Sequence, residues 1–193
     1  NICTGSGTLV GTGASISVSP TTNTTYYLRA EGTCNNSSCV SVAVTMSPCY
    51  EQPSGTGSAT YTVCSGTYYD DGGSASFYGS SDNSTITFYP ATAGNAVQLA
   101  FTTFLMYSYA TCTYDYIDIY NGNSTSAPLI GSYCSSTGSP GTITSCSPDG
   151  SLTFHFKSSS ANENTGWAAT ASCVAFNATS VGTLSANPTT VCS

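Results

Sequence analysis

CTYDYIDIYNGNSTSAPLIGSYC, residues 112–134, brings two cysteines, an acidic turn and an alternating strand into one short unit. Ile117 and Ile119 fall on one face of a period-2 segment and Tyr116, Asp118 and Tyr120 on the other, the pattern of a half-buried β-strand. Asn121-Gly122 supplies the turn that ends it. The unit points to binding rather than catalysis.

Working outward, four further blocks read as strands or strand ends: CSGTYYDDGG (residues 64–73), VQLAFTTF (97–104), LTFHF (152–156) and GWAATASC (166–173). Taken in order with the 112–134 unit, these blocks resemble the CUB domain, an extracellular β-sandwich. That family's pattern has a Cys shortly before Tyr-Asp-Tyr, an apolar strand ending in a Gly turn, and a second Cys after Gly-x-Tyr. The resemblance implies an all-β protein with a CUB-like jelly-roll β-sandwich over residues 49–175. It does not name a ligand, because sandwiches of this kind serve adhesion, receptor, protease-accessory and assembly roles.

Composition bounds the chemistry independently. Of 193 residues, 39% are hydrophobic and 11% aromatic, which excludes a disordered tail. Only 6% are charged, the net charge is -7, and the sole cations are Arg29 and Lys157. No basic surface exists to neutralise phosphates, so nucleic acid is excluded as a partner and an anionic membrane surface is disfavoured. No stretch has the length of a membrane span and no signal-like segment opens the chain, which begins at Asn1 and reads as a processed or partial product.

Ten cysteines argue for an oxidising compartment and a secreted or cell-surface location. A zinc reading fails on spacing, since Cys34 and Cys39 are too far apart for a C-x2-C knuckle and His155 lies on the strand face opposite Leu152, Phe154 and Phe156. Within the CUB-like part the expected disulfides are Cys112 with Cys134 and Cys64 with Cys173, which bracket the first and last strands. By elimination Cys49 pairs with Cys146. Cys3 and Cys34 are expected to bridge within the head of the chain, leaving Cys39 and Cys192 for bonds to a neighbouring unit.

Residues 14–34, ASISVSPTTNTTYYLRAEGTC, and 39–46, CVSVAVTM, give two alternating strands joined by NNSS. They resemble the last strands of the repeated Ig-like modules in very large surface proteins of gliding and adhesive Bacteroidetes-type bacteria. SANPTTVCS, residues 185–193, resembles the first strand of such a module. The expected organisation is therefore the back of an Ig-like module at 1–47, the CUB-like domain at 49–175, and at 176–193 a linker with the front of a following module. Incomplete sandwiches expose unpaired strand edges, so a neighbouring repeat or identical subunit is expected to cover them by strand addition, giving head-to-tail filaments.

Enzyme readings find no constellation. His155 has no motif around it, the glycine-rich segments GSGTL and GTGAS open no helix, and adjacent Asp70 and Asp71 project to opposite faces, the wrong arrangement for a pair of glycosidase acids. The CUB resemblance implies calcium, held in that family by a Glu before the first Cys, the Asp of Tyr-Asp-Tyr and an Asp in the loop after the penultimate strand. Here the middle position is Asp115, while the outer two fall near Tyr107 and Ser159, with Asn162 and Glu163 following in the loop. The expected metal set is thus Asp115, Asn162 and Glu163, short of the six to eight oxygens calcium takes. Tyr107, Tyr109, Tyr114 and Tyr116 gather around the Cys112 turn as candidate sugar-stacking residues. The reading is a non-enzymatic structural or adhesive repeat of an extracellular bacterial surface protein or fibre. The alternatives are a carbohydrate-binding module or an accessory domain of a secreted protease.

Overall fold

The computed structural model describes residues 8–107 and 111–176. The chain divides into two compact units, the first ending at Ser47 and the second beginning at Pro48. In the first, β1 (Thr24–Leu28) and β2 (Val40–Val44) pair antiparallel, with Tyr26 opposite Val42 and Leu28 opposite Val40. The side chain of Asn23 accepts the Met46 N–H at 2.6 Å, closing the open end of the ladder. β-Branched and aromatic residues favour this pairing, yet Leu28, Val40 and Val42 remain 41–59% exposed.

The second unit is a two-layer sandwich of five-stranded sheets. One sheet has the order β10-β7-β12-β5-β3, the other β4-β6-β11-β8-β9. The first is built from β3 (Cys49–Glu51), β5 (Thr67–Tyr69), β7 (Asn95–Leu105), β10 (Thr142–Thr144) and β12 (Gly166–Ala175). The second is built from β4 (Ser58–Val63), β6 (Asn83–Pro90), β8 (Tyr116–Tyr120), β9 (Leu129–Tyr133) and β11 (Leu152–Lys157). Pairing is antiparallel except where the two N-terminal strands add in parallel, β3 to β5 and β4 to β6. Alternation along each strand sends one set of side chains inward. Ile117 and Ile119 from β8, Phe154 and Phe156 from β11, Ile86 and Phe88 from β6, and Trp167 from β12 are all buried.

Aromatic rings tie the layers together. Tyr68 contacts Phe88, Phe154 and Trp167 at centroid separations of 5.1, 5.3 and 5.6 Å, and Phe156 meets Trp167 edge-on at 5.0 Å. Such pairs contribute about 0.5–1.5 kcal/mol each beyond area burial. Because Tyr68 is fully buried, its hydroxyl needs a partner. It donates to Gln52 Oε1 at 2.6 Å, and Gln52 Nε2 donates to Ser84 Oγ on β6 at 2.9 Å, so one polar chain joins the two sheets.

Two disulfides staple this unit among the described residues. Cys64–Cys173 links the end of β4 to β12 with Cα atoms 4.7 Å apart, and Cys112–Cys134 closes the β8–β9 hairpin at 5.4 Å. The expected Cys49–Cys146 bridge is not formed: Cys49 is an exposed free thiol, and Cys146 is disulfide-bonded elsewhere. Sheet order explains it, since β3 and β10 are opposite edges of one sheet. Four strand spacings put them on the order of 19 Å apart, far beyond the roughly 4.4–6.8 Å a disulfide spans. Cys34 is also an exposed free thiol, so it does not bridge to Cys3. It sits in the tight turn where Gly32 N–H bonds Asn35 O, facing solvent. Cys39 is disulfide-bonded and so is not left over for a neighbouring unit. Cys3, Cys192 and the tail from residue 177 lie outside the described residues.

The free-thiol assignment is checked by alkylating unreduced protein in denaturant. Cys34 and Cys49 are expected to be modified and Cys64, Cys112, Cys134 and Cys173 protected, with peptide mapping recovering 64–173 and 112–134 as linked pairs. Protection of Cys49 contradicts the strand order.

Candidate functional site

Asp115 immediately precedes β8 and is 1% exposed. A buried carboxylate requires donors on both oxygens. Tyr78 Oη donates to Asp115 Oδ2 at 2.6 Å, and the Ser159 N–H donates to Oδ1 at 2.6 Å. Tyr78 Oη in turn accepts the Tyr107 N–H at 2.8 Å. Burial, followed by the hydrogen bond to Asp115, raises the Tyr78 phenol far above its ordinary range, so it remains a donor at every physiological pH. The Met106 N–H donates to Ser135 Oγ at 2.8 Å, anchoring the same segment to the residue after Cys134.

In front of this node lies an open cleft of about 380 Å³ lined by Tyr107 and Tyr114 on one side and Ser159, Ser160, Ala161 and Asn162 on the other. Asn162 adopts a left-handed φ of 72°, tolerated by Asn better than by most residues, which turns the loop at the cleft rim. Among the described residues no charged side chain lines it. Its walls are phenol, hydroxyl, amide and backbone, a surface suited to neutral polar ligands.

The sequence-predicted residues separate here. Tyr107 and Tyr114 share the cleft, whereas Tyr116 lies beside the His155 ring and under the Lys157 ammonium. Tyr109 is outside the described residues. Asn162 forms the rim, and Glu163 is half-buried, close enough for its charge to contribute to the upward shift of Tyr78. The Asp115–Asn162–Glu163 set does not fit calcium. Both Asp115 oxygens are taken by hydrogen bonds, Tyr107 and Ser159 stand where the family's outer carboxylates would be, and no group of three His, Cys, Asp or Glu forms a metal-holding cluster among the described residues. Tyr78 and the Ser159 N–H, which complete the Asp115 node, carry no local motif and were not legible beforehand.

Among the described residues the candidate acids and the histidine are engaged structurally. His155 Nδ1 is 3.6 Å from Asp118 Oδ2 and its Nε2 is hydrogen-bonded to Asn83 Oδ1 at 2.7 Å. Ser132 donates to the other oxygen of Asp118, not to the imidazole. The serine is therefore bound to the carboxylate and has no base to activate it. Asp70 and Asp71 diverge, as adjacent residues should. Asp70 accepts the Gly72 and Trp167 N–H groups at 2.8 and 2.9 Å, while Asp71 accepts the Gly79 N–H.

The CUB domain family model matches residues 64–170. The chain belongs to the CUB domain family. Among solved structures it is similar to the full extracellular region of zebrafish Gpr126/Adgrg6, with 21% identity, a TM-score of 0.50, 64% of this chain and 15% of that one covered. It is also similar to the MASP-1 CUB2 domain bound to Ca2+, at 27% identity and TM-score 0.48 over 62% of this chain and 98% of that one. A third likeness is to the CUB1-EGF-CUB2 domains of rat MASP-1, at 23% and 0.47 over 61% and 42%. The match thus spans about 15% of the length of the zebrafish extracellular region. No curated protein matches this chain. CUB domains are generally non-catalytic binding modules. No helix among the described residues is long and apolar enough to cross a membrane.

Two measurements probe this end of the CUB unit. Tyr78→Phe leaves a buried carboxylate oxygen without its donor and is expected to cost about 1–3 kcal/mol, read as a lower midpoint in urea. Asp70 carries a pH signature: burial above all lifts its carboxyl to about 6, despite the Trp167 and Gly72 N–H bonds that oppose the shift. The unfolded carboxyl releases its proton near pH 4, so between about 4 and 6 the folded state holds more protons and stability falls as pH rises, the loss persisting above. Asp70→Asn should flatten that slope, measured by denaturant unfolding across the same window. An unchanged slope contradicts the assignment.

Proposed function

We propose that this chain is a non-catalytic structural or adhesive module of an extracellular bacterial surface protein or fibre, joined to its neighbours through β-structure at residues 1–47. The observation that carries this reading is a face of the β1–β2 ladder that stands exposed among the described residues, with Leu28, Val40 and Val42 in register. A lone two-stranded hairpin is marginal in water, and its edges offer unpaired N–H and C=O groups to another strand. The Ig-like sequence of residues 1–47 and 185–193 supports the same reading, as two halves of a module that adjacent repeats or subunits complete.

The test is deletion of residues 178–193. End-to-end association, followed by sedimentation and electron microscopy, is expected to be lost while the CUB unit keeps its melting temperature. A truncated chain that still forms fibres overturns the assembly reading.

A second reading has its own observation, the neutral cleft with Tyr107 and Tyr114 facing the hydroxyls and amide of residues 159–162. Aromatic faces with neutral polar partners suit a sugar ring. If a glycan binds there, retention on a glycan array should fall at least about tenfold in Tyr114→Ala, the loss of roughly 1.4 kcal/mol of binding. Equal retention by the variant removes this reading and leaves the structural one.

A further inference from the structure

A second acidic site lies beside the first, on the far side of Ser158. Asp82 is 3% exposed. Its Oδ1 accepts the Gly55 N–H, its backbone N–H donates to Ser158 Oγ at 2.8 Å, and its carbonyl accepts the Ser158 N–H at 3.1 Å. Its Oδ2 has no hydrogen-bond partner. That oxygen faces Asp71: a Cβ placed on Gly79 would stand 2.7 Å from Asp71 Oδ2 and 2.8 Å from Asp82 Oδ2, so both oxygens converge on one glycine cradle. Both Asp71 oxygens also accept the Gly79 N–H, at 3.0 and 3.1 Å.

Among the described residues no cationic side chain pairs with these two carboxylates. The chain has two cationic side chains. Arg29 is paired with Glu31, and Lys157 lies 6.0 Å from the centre of the Tyr116 ring. A third carboxylate, Glu51, approaches the same loop at Gly73. A buried carboxylate oxygen without a donor either shares a proton with its neighbour or draws a counter-charge from solution.

We propose that Asp71 and Asp82 together hold a hard divalent cation of the calcium class at the base of the 70–82 loop. The donors are all oxygen, with no imidazole or thiolate, which selects hard ions over zinc or copper. Two carboxylates form the protein side of the shell, one short of a three-group cluster, so water supplies most of the ligands. Asp71 is only half-buried, so water reaches the ion from that side and completes the six to eight ligands calcium accepts. The site is distinct from Asp115, whose oxygens are already occupied by Tyr78 and Ser159. Its effect passes through Ser158 to the cleft loop, because the ion fixes Asp82 and Asp82 fixes Ser158.

The experiment follows the melting temperature of the chelator-treated chain as calcium chloride is added at constant ionic strength, with bound calcium counted by equilibrium dialysis. A saturable upward shift with one ion per chain is expected, since a ligand of the folded state alone stabilises it. Asp82→Asn keeps an acceptor for the Gly55 N–H and aims an amide N–H at Asp71. It should therefore melt no lower than the parent without calcium and lose the calcium response. Asp71→Asn, at a half-exposed position, should lose the response as well and carries the test if Asp82→Asn does not fold. Asp115→Asn should melt lower yet keep the response. The proposal is overturned by a parent chain indifferent to calcium, by a response that survives both variants, or by one abolished in Asp115→Asn. It is equally overturned if mild acid stabilises the parent as calcium was expected to do and calcium does not, which would mean that the pair shares a proton.

Discussion

Ser158 and Ser159, the two residues leaving β11, are gripped from both sides, and the whole cleft end of the CUB unit depends on that grip. Asp82 holds Ser158 through its backbone, with Ser158 Oγ passing a hydrogen bond on to Gly79 O at 2.8 Å. Ser81 N–H donates to Ser159 O at 2.6 Å, and Asp115 takes the Ser159 N–H. A loop fixed at its base in this way presents Ser160 to Asn162 to solvent with little ordering left to lose on binding. The left-handed residues Ser81 and Asn162, φ 62° and 72°, mark where the two loops bend around this segment. Such conformations persist only where surrounding bonds over-determine them.

The scarcity of cations shapes the rest of the electrostatics. In most soluble domains Lys and Arg sit among the acids; here each buried carboxylate must recruit neutral donors. Asp70 uses the backbone of Gly72 and Trp167, and Asp115 a phenol and a backbone N–H. At Asp149 partial burial works against ionisation, but hydrogen bonds from Ser147 and Ser151 hold the carboxyl below its usual range. The abundant Ser, Thr and Gly of this sequence are thus internal solvent for its acids as well as a polar surface. Asp82 is the place where that supply runs out.

Much of the sandwich was legible because burial and periodicity act on neighbouring residues. In β8, Tyr116–Tyr120, alternation alone puts Ile117 and Ile119 inside, and the Asn121-Gly122 turn with Cys134 after β9 follows from the same stretch. Sheet order is a different kind of information. Nothing near Cys49 tells that β3 adds in parallel to β5 at one edge while Cys146 follows β10 at the other, so elimination among cysteines chose a pair the sheet holds apart. The acidic nodes were hidden for a similar reason. Asp82 stands in a run of Ser, Asp and Asn that reads as an exposed turn, and it is buried only because the turn at Gly55 and the residues after β11 close over it. Tyr107 and Tyr114 could be named from their nearness in sequence, but Tyr116, two residues further and inside β8, packs against His155 and Lys157 of the neighbouring strand.

The Cys64–Cys173 bond gives the CUB unit a mechanical property that its stability alone does not imply. A load that enters before Cys64 and leaves after Cys173 crosses the sandwich through the covalent link between them. The intervening chain, a separation of 109 residues, is bypassed. Roughly 350 Å of slack that an unbridged domain would release on rupture, at about 3.3 Å per residue, stays locked behind the sulfur atoms. Outside the bridged loop lie β3 and β4, which precede Cys64 and add in parallel at sheet edges, and the last two residues of β12, Val174 and Ala175. Under tension the unit is a link of nearly fixed length with a short give at its ends.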